Sequence, residues 1–278
     1  YHISYVFSYS AVEKMSVAMI LQNFVFPKKG ICEKEELYYR TVRGNAHRMR
    51  AGIRLEKHSS VSFFSYFNEF SLTRWRDYTG IADYRMYLKI SGKGRVQMRR
   101  AVLKDGRVFD EALSVREFCT RPDAYTELIF DIAPKVNDGI IYAKIDSKSS
   151  VTMERGYFET MHGPAADIRI AVGICTYHRE EYVHRTLSLL QKAFLENQQS
   201  ELYGKLKVYI SDNGGTLDCQ GESVSCVRNK NAGGSGGFAR CMIEALNEWD
   251  AYQFMHFLFM DDDILLEQEA VYRTYMLL

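Results

Sequence analysis

The chain has 278 residues, of which 46% are hydrophobic and 13% aromatic, enough for one large globular domain or two ordinary ones. Its 36 basic and 35 acidic side chains leave a formal net charge of +1. This balance provides no general attraction for nucleic acid, so no nucleic-acid partner is predicted.

The cysteines and the apolar segments indicate the cellular compartment. Six cysteines are scattered along the chain without a Cys-x-x-Cys pair, which is typical of reduced core residues. No stretch reaches the roughly 18 to 20 uncharged apolar residues of a membrane span, and no signal-peptide pattern opens the sequence. The sequence predicts a cytoplasmic protein that is at most peripheral to a membrane.

The N-terminal half has the pattern of a β-sandwich. Residues 1–16 are treated as a leader that need not be native, because their aromatic pattern does not continue into the neighbouring segment. Over residues 17–150, short segments rich in aromatic and β-branched residues alternate with Gly, Asn and Asp turns. The predicted strands are 61–67, 84–90, 96–103, 128–132 and 140–145. Strands of this kind predict a jelly-roll-like sandwich, with the aromatic residues from Phe63 to Trp75 mostly in its core.

The apolar period changes after a predicted linker at residues 151–168. Four further strands are predicted, at 169–175, 206–211, 223–228 and 254–260. Two amphipathic helices lie between them, one with an apolar face from Val183 to Phe194 and one with an apolar stripe from Phe238 to Trp249. Strands that alternate with helices predict a doubly wound, mostly parallel sheet over residues 169–278.

The apolar run 254–260 stops at three adjacent carboxylates, Asp261, Asp262 and Asp263. A run without alternation predicts a strand covered on both faces, and ligands of such sheets bind beyond the carboxyl ends of the strands. Side-chain alternation places Asp261 and Asp263 on one side, where they can share a divalent cation with phosphate oxygens. The alternative is a solvated acidic turn that caps the next helix.

Three more polar clusters are predicted at the same edge of the sheet. They are Thr176-Tyr177-His178-Arg179, Asp212-Asn213-Gly214, and the glycine run from Asn231 to Phe238. Glycines let the N-terminus of a helix approach an anion without Cβ clashes, although a flexible turn explains the run alone equally well. Arg179 can neutralise a phosphate, and Asp212 can accept hydrogen bonds from a base or ribose. The clusters together predict a nucleotide diphosphate site with a metal ion, while a dehydrogenase fingerprint and a P-loop are disfavoured by position and composition.

The order of these motifs resembles the inverting GT-A glycosyltransferases of family 2. The likeness is to the bacterial polymerising galactofuranosyltransferases that build cell-wall galactan, and it includes segments 21–27, 37–39 and 66–76 of the N-terminal half. It implies a β-sandwich at residues 17–150 followed by the N-terminal half of a Rossmann-like GT-A domain at 169–278.

The resemblance also implies a donor, a metal and a set of site residues. The donor would be a UDP-sugar, expected to be UDP-galactofuranose, with Mn²⁺ or Mg²⁺ held by Asp261 and Asp263. The implied nucleotide-binding residues are Thr176, Arg179, Asp212, Asn231, Gly233, Gly234 and Asp262. The acceptor would be a glycan or lipid-linked glycan of cell-wall or surface polysaccharide synthesis. Self-association and peripheral contact with the inner face of the plasma membrane are further expectations.

Relatives in this family carry the general base and the acceptor pocket well after the triplet, whereas 15 residues follow Asp263 in this sequence. The chain is therefore expected to be C-terminally truncated, with the general base beyond residue 278 and little activity by itself. Three alternatives stay open: a non-catalytic carbohydrate-binding or scaffold protein with a vestigial nucleotide-sugar fold, a family 2 transferase that uses another nucleotide-sugar, and a sugar-nucleotide nucleotidyltransferase. The last would normally carry a glycine-rich basic signature where this chain has residues 176–179.

Overall fold

The structure is a computed structural model that describes residues 18–121 and 123–278, so the predicted leader at 1–16 lies outside the described residues. Its N-terminal unit consists of two antiparallel, six-stranded sheets. The strands are β1 (Met19–Asn23), β2 (Arg40–Arg43), β3 (Ala46–Arg48), β4 (Ile53–Leu55), β5 (Ser60–Ser62), β6 (Phe70–Ser71), β7 (Tyr84–Ser91), β8 (Lys93–Lys104), β9 (Arg107–Cys119), β10 (Thr126–Ile132), β11 (Ile140–Ser147) and β12 (Val151–Thr160). A 3₁₀ turn (Glu35–Leu37) and helix α1 (Leu72–Thr79) lie between strands.

The two sheets pack face to face around one apolar core. One has the order β10-β7-β12-β4-β3, with β1 also on β12; the other has the order β2-β5-β11-β8-β9, with β6 also on β11. In the core Phe70 stacks on Phe158 with ring centroids 4.4 Å apart. Phe63 and Trp75 are buried as well, whereas Tyr66 is 74% exposed. The prediction of an N-terminal β-sandwich is confirmed.

The predicted linker at residues 151–168 was wrong for its first part, because residues 151–160 are strand β12. This strand pairs with β1, β4 and β7 and so lies inside its sheet. A β-bulge between Met153 and Arg155 interrupts the alternation of side chains by which a strand is recognised in a sequence. At Gly156 a Cβ would lie 2.6 Å from the Leu88 side chain, so the sheet needs glycine at the place where the sequence suggested a break.

Strand β9 is a second element that the sequence analysis missed. It is the outermost strand of its sheet and almost wholly exposed, so its sequence is charged and lacks a clear apolar alternation. The turn that leads into it, Lys104-Asp105-Gly106, is one of the predicted Gly and Asp turns. Both central residues, Asp105 and Gly106, have positive φ as a two-residue hairpin turn requires.

The C-terminal unit is a five-stranded sheet with the order β15-β16-β14-β13-β17. Its elements are β13 (Ile170–Thr176), α2 (Glu180–Leu190) with a π-helical turn (Gln191–Leu195), β14 (Leu206–Asp212), β15 (Gln220–Gly221), β16 (Val224–Arg228), α3 (Gly233–Asn247), α4 (Trp249–Tyr252), β17 (His256–Asp261) and α5 (Gln268–Leu277). All neighbours are parallel except β15 and β16. Helices α2 and α5 pack on one face and α3 on the other. The predicted alternation of strands and helices is present, and assignment to the GT-A fold stays a prediction.

Two burial predictions in this unit were wrong. The predicted apolar stripe on α3 included too many residues: Cys241 and Ala245 are buried, whereas Leu246 is 63% exposed. Strand β17 was expected to be covered on both faces, but it is the last strand of the sheet and its Phe259 is 54% exposed. None of the helices in residues 18–121 and 123–278 is long and apolar enough to cross a membrane.

Helix α5 joins the two units through buried polar contacts, which we call the α5 clamp (Asn23, Phe67, Glu269 and Arg273). Glu269 accepts hydrogen bonds from the Asn23 backbone N–H at 2.6 Å and from the Asn23 amide at 3.1 Å. Arg273 donates to Glu269 and to the backbone oxygens of Asn23 and Phe67. Burial raises the pKa of Glu269, and the charge of Arg273 opposes this rise. The clamp holds the sandwich against the parallel sheet.

Candidate functional site

The predicted polar clusters lie at the carboxyl ends of neighbouring strands. Thr176 ends β13 and is paired with Asp212 at the end of β14, and Asp212 is paired in turn with Arg228 of β16. On the other side of β13, Cys175 is paired with Asp261. Since these strands are parallel, the side chains that follow them share one edge of the sheet.

The aspartate triplet alternates between exposed and buried side chains. Asp261 and Asp263 are exposed, whereas Asp262 is buried and accepts a 2.7 Å hydrogen bond from the Thr176 hydroxyl. Helix α5 begins at Gln268 with Glu267 as its N-cap, so Asp263 does not cap it. The alternative of a helix-capping acidic turn therefore loses its structural basis.

Arg179 connects the triplet to the end of β13. Its Nη1 lies 2.5 Å from Asp263 Oδ2 and 3.4 Å from Asp262 Oδ1. The hydrogen bond to Asp263 raises the pKa of Arg179. Among the described residues, the Asp261 carboxylate has no hydrogen-bond or ion-pair partner and faces solvent.

Asp212 is fully buried, and its carboxylate is bound to its own loop. One oxygen accepts from the Gly214 N–H at 2.9 Å and the other from the Leu217 N–H at 2.7 Å. The carboxylate thus holds the turn after β14, and the structure does not bring it to the open edge where the sequence analysis placed a nucleotide contact.

The glycine run forms the N-terminus of α3. Gly233 has a φ of +69° and its N–H donates to the side chain of the exposed Asn231 at 3.1 Å. A Cβ at Gly233 or Gly234 would meet nothing within 4 Å, so the first turn of the helix fronts open space. Exposed N–H groups at such a helix end favour anions.

Asn213 and Cys175, neither of which is among the predicted nucleotide-binding residues, connect these loops. Asn213 is buried, donates to the Gly233 carbonyl and the Cys175 sulfur, and accepts from the Asn229 amide. Cys175 is paired with Asp261 of β17, and its Sγ lies 3.9 Å from the Gly233 carbonyl oxygen, so the thiol lies between the triplet and the glycine run. Burial, followed by the charge of Asp262, raises the pKa of Cys175. The sequence signal that could have identified Asn213 as a site residue is its position directly after Asp212, which ends β14.

The edge offers two exposed carboxylates but no complete metal cage. Within the part of the chain that the structure describes, no group of three or more His, Cys, Asp or Glu side chains could hold a metal ion. Two hard carboxylate oxygens still suit Mg²⁺ or Mn²⁺ when phosphate oxygens or water complete the shell. The donor chemistry therefore fits the predicted ion only together with a ligand.

Gly237→Ala should destabilise the protein by about 1–3 kcal/mol, because overpacking against a strand has that cost. A Cβ at position 237 would lie 2.9 Å from Cys175 Cβ and closer still to its Sγ. Gly234→Ala is the matched control, since it has open space and gains helix propensity of up to about 1 kcal/mol. Urea unfolding of both variants checks this, and equal stabilities would contradict the close packing of α3 on β13.

Two curated proteins match this chain over most of its length. The galactofuranosyltransferase GlfT2 of Mycobacterium tuberculosis is 28% identical in an alignment over 275 residues; the match covers 92% of this chain and 41% of that protein. The same enzyme of Mycolicibacterium smegmatis is 27% identical over 272 residues, with the same two shares. The chain thus spans less than half the length of these relatives.

Solved structures give a weaker likeness. The CBM22-1 xylan-binding domain of Paenibacillus barcinonensis Xyn10C matches with a TM-score of 0.30 and 6% identity, covering 54% of this chain and 96% of that one. A family 29 carbohydrate-binding module of Piromyces equi gives 0.30 and 11%, covering 51% and 89%. At such scores no argument about fold or ligand rests on them. The family model of the galactofuranosyltransferase 2 N-terminal region matches residues 21–160. The chain belongs to the galactofuranosyltransferase 2 N-terminal family.

Proposed function

We propose that this chain is the donor-binding part of an inverting galactofuranosyltransferase. The supporting observation is the similarity to two galactofuranosyltransferases over 92% of the chain, which extends past the residues matched by the family model and into the parallel sheet. The proposed reaction transfers galactofuranose from UDP-galactofuranose to a glycan or lipid-linked acceptor of bacterial cell-wall or surface polysaccharide. The chain covers 41% of the length of these relatives. We therefore propose the transferase activity, and do not take it over from them as established.

The nucleotide is proposed to lie over the ends of β13 and β14 and the start of α3. Gly233 and Gly234 leave room for the diphosphate at the N-terminus of α3, where helix ends favour anions. The Gly233 N–H is held by the Asn231 side chain in this structure. Thr176, Arg179 and Asn231 are the proposed side-chain contacts. Asp212 contributes by holding the turn after β14, since both of its oxygens accept backbone N–H groups.

Mn²⁺ or Mg²⁺ is proposed to be held by Asp261 and Asp263 together with the donor phosphates. When bound, the ion supplies positive charge that stabilises the departing UDP. Asp262 is anchored by Thr176 and Arg179, and it thereby keeps the two flanking carboxylates on the open side of the strand end. We assign no general base.

Calorimetry of the full chain with UDP tests the proposal. We expect UDP to bind in Mn²⁺ and to bind much more weakly after chelation, because the phosphates and the two carboxylates share the ion. ADP serves as the matched nucleotide and should bind more weakly than UDP. Equal UDP binding with and without the ion would remove the metal from the site. Absence of UDP binding would favour the alternative of a non-catalytic scaffold.

A further inference from the structure

One edge of the sandwich carries a cluster of cations that form no ion pair within the described residues. We call residues 40–58 the basic edge; they include β2, β3, β4 and the turns between them. Six cations and one carboxylate give this segment a formal charge of +5, whereas the whole chain has +1. The cations, all exposed, are Arg40, Arg43, Arg48, Arg50, Arg54 and Lys57.

The topology gathers these side chains on one side of the molecule. Strand β2 is outermost in one sheet and β3 is outermost in the other, and only Gly44 and Asn45 separate them. Arg54 lies directly across from His47 in the adjoining β3–β4 pair. The basic edge is therefore continuous from one sheet to the other.

Direct ion pairs do not neutralise this charge. In residues 18–121 and 123–278, no carboxylate forms an ion pair with any of the six cations. The carboxylate of Glu56 pairs instead with His47 and Asn45, while Arg43 and Arg54 donate to the neutral oxygens of His58 and Ser150.

The central strands of the same sandwich behave differently. Five cations of β7 and β8 each pair with a carboxylate: Arg85, Lys89, Arg95, Arg99 and Arg100. The basic edge differs from these five cations in having no ion-paired arginine or lysine among the described residues, which leaves its field available to an external anion.

Exposed apolar side chains lie among these cations. Val42, next to Arg43, is 57% exposed, and Met49, between Arg48 and Arg50, is 39% exposed. Met49 is at the tip of the β3–β4 hairpin, where its N–H donates to the Gly52 carbonyl. A nucleic-acid backbone attracts cations but provides no apolar region for aliphatic side chains. The surface of an anionic bilayer attracts the cations and also buries aliphatic side chains in its interface.

We propose that the basic edge docks the protein on an anionic phospholipid bilayer, with the arginines at the headgroups and Met49 and Val42 in the interface. The inference rests on the proposed function only in assigning a reason for docking, namely access to a lipid-linked acceptor. The surface itself is argued from charge, pairing and exposure.

Vesicle co-sedimentation of the full chain tests the docking surface. We expect binding to phosphatidylcholine vesicles that contain phosphatidylglycerol, loss of binding at high salt, and little binding to phosphatidylcholine alone. Arg48→Glu with Arg50→Glu should lower partitioning at least about tenfold, because each cation near such a surface contributes several-fold. Met49→Ser should lower it with the charge unchanged.

The control is Lys104→Glu with Arg107→Glu, the same charge change at the β8–β9 turn on the opposite edge of that sheet. Equal losses in the control and in the basic-edge variant would overturn the proposal, as would stronger binding to duplex DNA or soluble polyphosphate than to anionic vesicles. UDP calorimetry on both variants should match the parent. A chain that binds anionic vesicles but not UDP would retain the docking surface and contradict the proposed function.

Discussion

Arg273→Met should lower the free energy of unfolding by about 3–5 kcal/mol, the usual result of removing one partner from a buried ion pair. The substitution leaves the Glu269 carboxylate buried and removes the donor to the backbone oxygens of Asn23 and Phe67. Met has a similar stem, so lost volume contributes little. Urea denaturation followed by far-UV circular dichroism measures the change.

Arg240→Met is the control for the α5 clamp. Arg240 and Glu244 form an i, i+4 pair on α3, but the Arg240 side chain is 39% exposed. A surface pair of this kind contributes at most about 0.5 kcal/mol. If the two variants lost similar stability, the α5 clamp would have no special role in joining the units.

The deficit of Arg273→Met should also depend on pH. Burial already raises the pKa of Glu269 above its ordinary value with Arg273 present, and loss of the arginine removes a charge that opposes this rise. The folded state then binds the proton more tightly, so stability recovers as the pH falls through this raised pKa towards the ordinary value of glutamate. A deficit independent of pH would indicate that lost packing, and not the buried charge, is the cause.

Asp261→Asn with Asp263→Asn should abolish the part of UDP affinity that depends on Mn²⁺, with a loss of about 100-fold, the upper range for disturbed metal sites. Asn keeps the size of the side chain and removes the charge that holds a hard cation. Asp262 and its Thr176 contact are untouched, so the fold at the strand end should persist. Calorimetry with UDP, with and without Mn²⁺, gives the comparison.

The matched control is Asp250→Asn, an exposed aspartate at the start of α4. It should leave UDP affinity and its metal dependence unchanged. Metal-dependent binding that survived in the double variant would sink the assignment of Asp261 and Asp263 as ligands.

Local periodicity explains which elements could be predicted. The face from Val183 to Phe194 is buried because residues spaced three and four apart share one side of a helix. The exposed and buried aspartates of the triplet follow from alternation along an extended segment. Both patterns depend only on residues close together in the chain, so they can be predicted from the sequence alone.

Contacts between distant residues explain what could not be predicted. Strand β12 has a bulge and a glycine that make sense only beside β7 and β1. The α5 clamp joins residues 246 positions apart in the chain. Asp212 was placed correctly at a strand end, but the direction of its carboxylate depends on the loop that folds back over it. Such pairings are decided by three-dimensional packing and leave no periodic signal.

The position of β17 at the end of its sheet has a consequence for the triplet. Among the described strands none pairs with its outer side, so its backbone presents a row of hydrogen-bonding groups that can template one more strand. A strand added there in parallel would bring its own last residue to about 4.8 Å from the backbone of Asp261. Whatever polypeptide fills that place gains a short, register-controlled route for delivering a side chain to the carboxylates. The open edge of β17 thus allows an added strand to complete or alter the chemistry of the site.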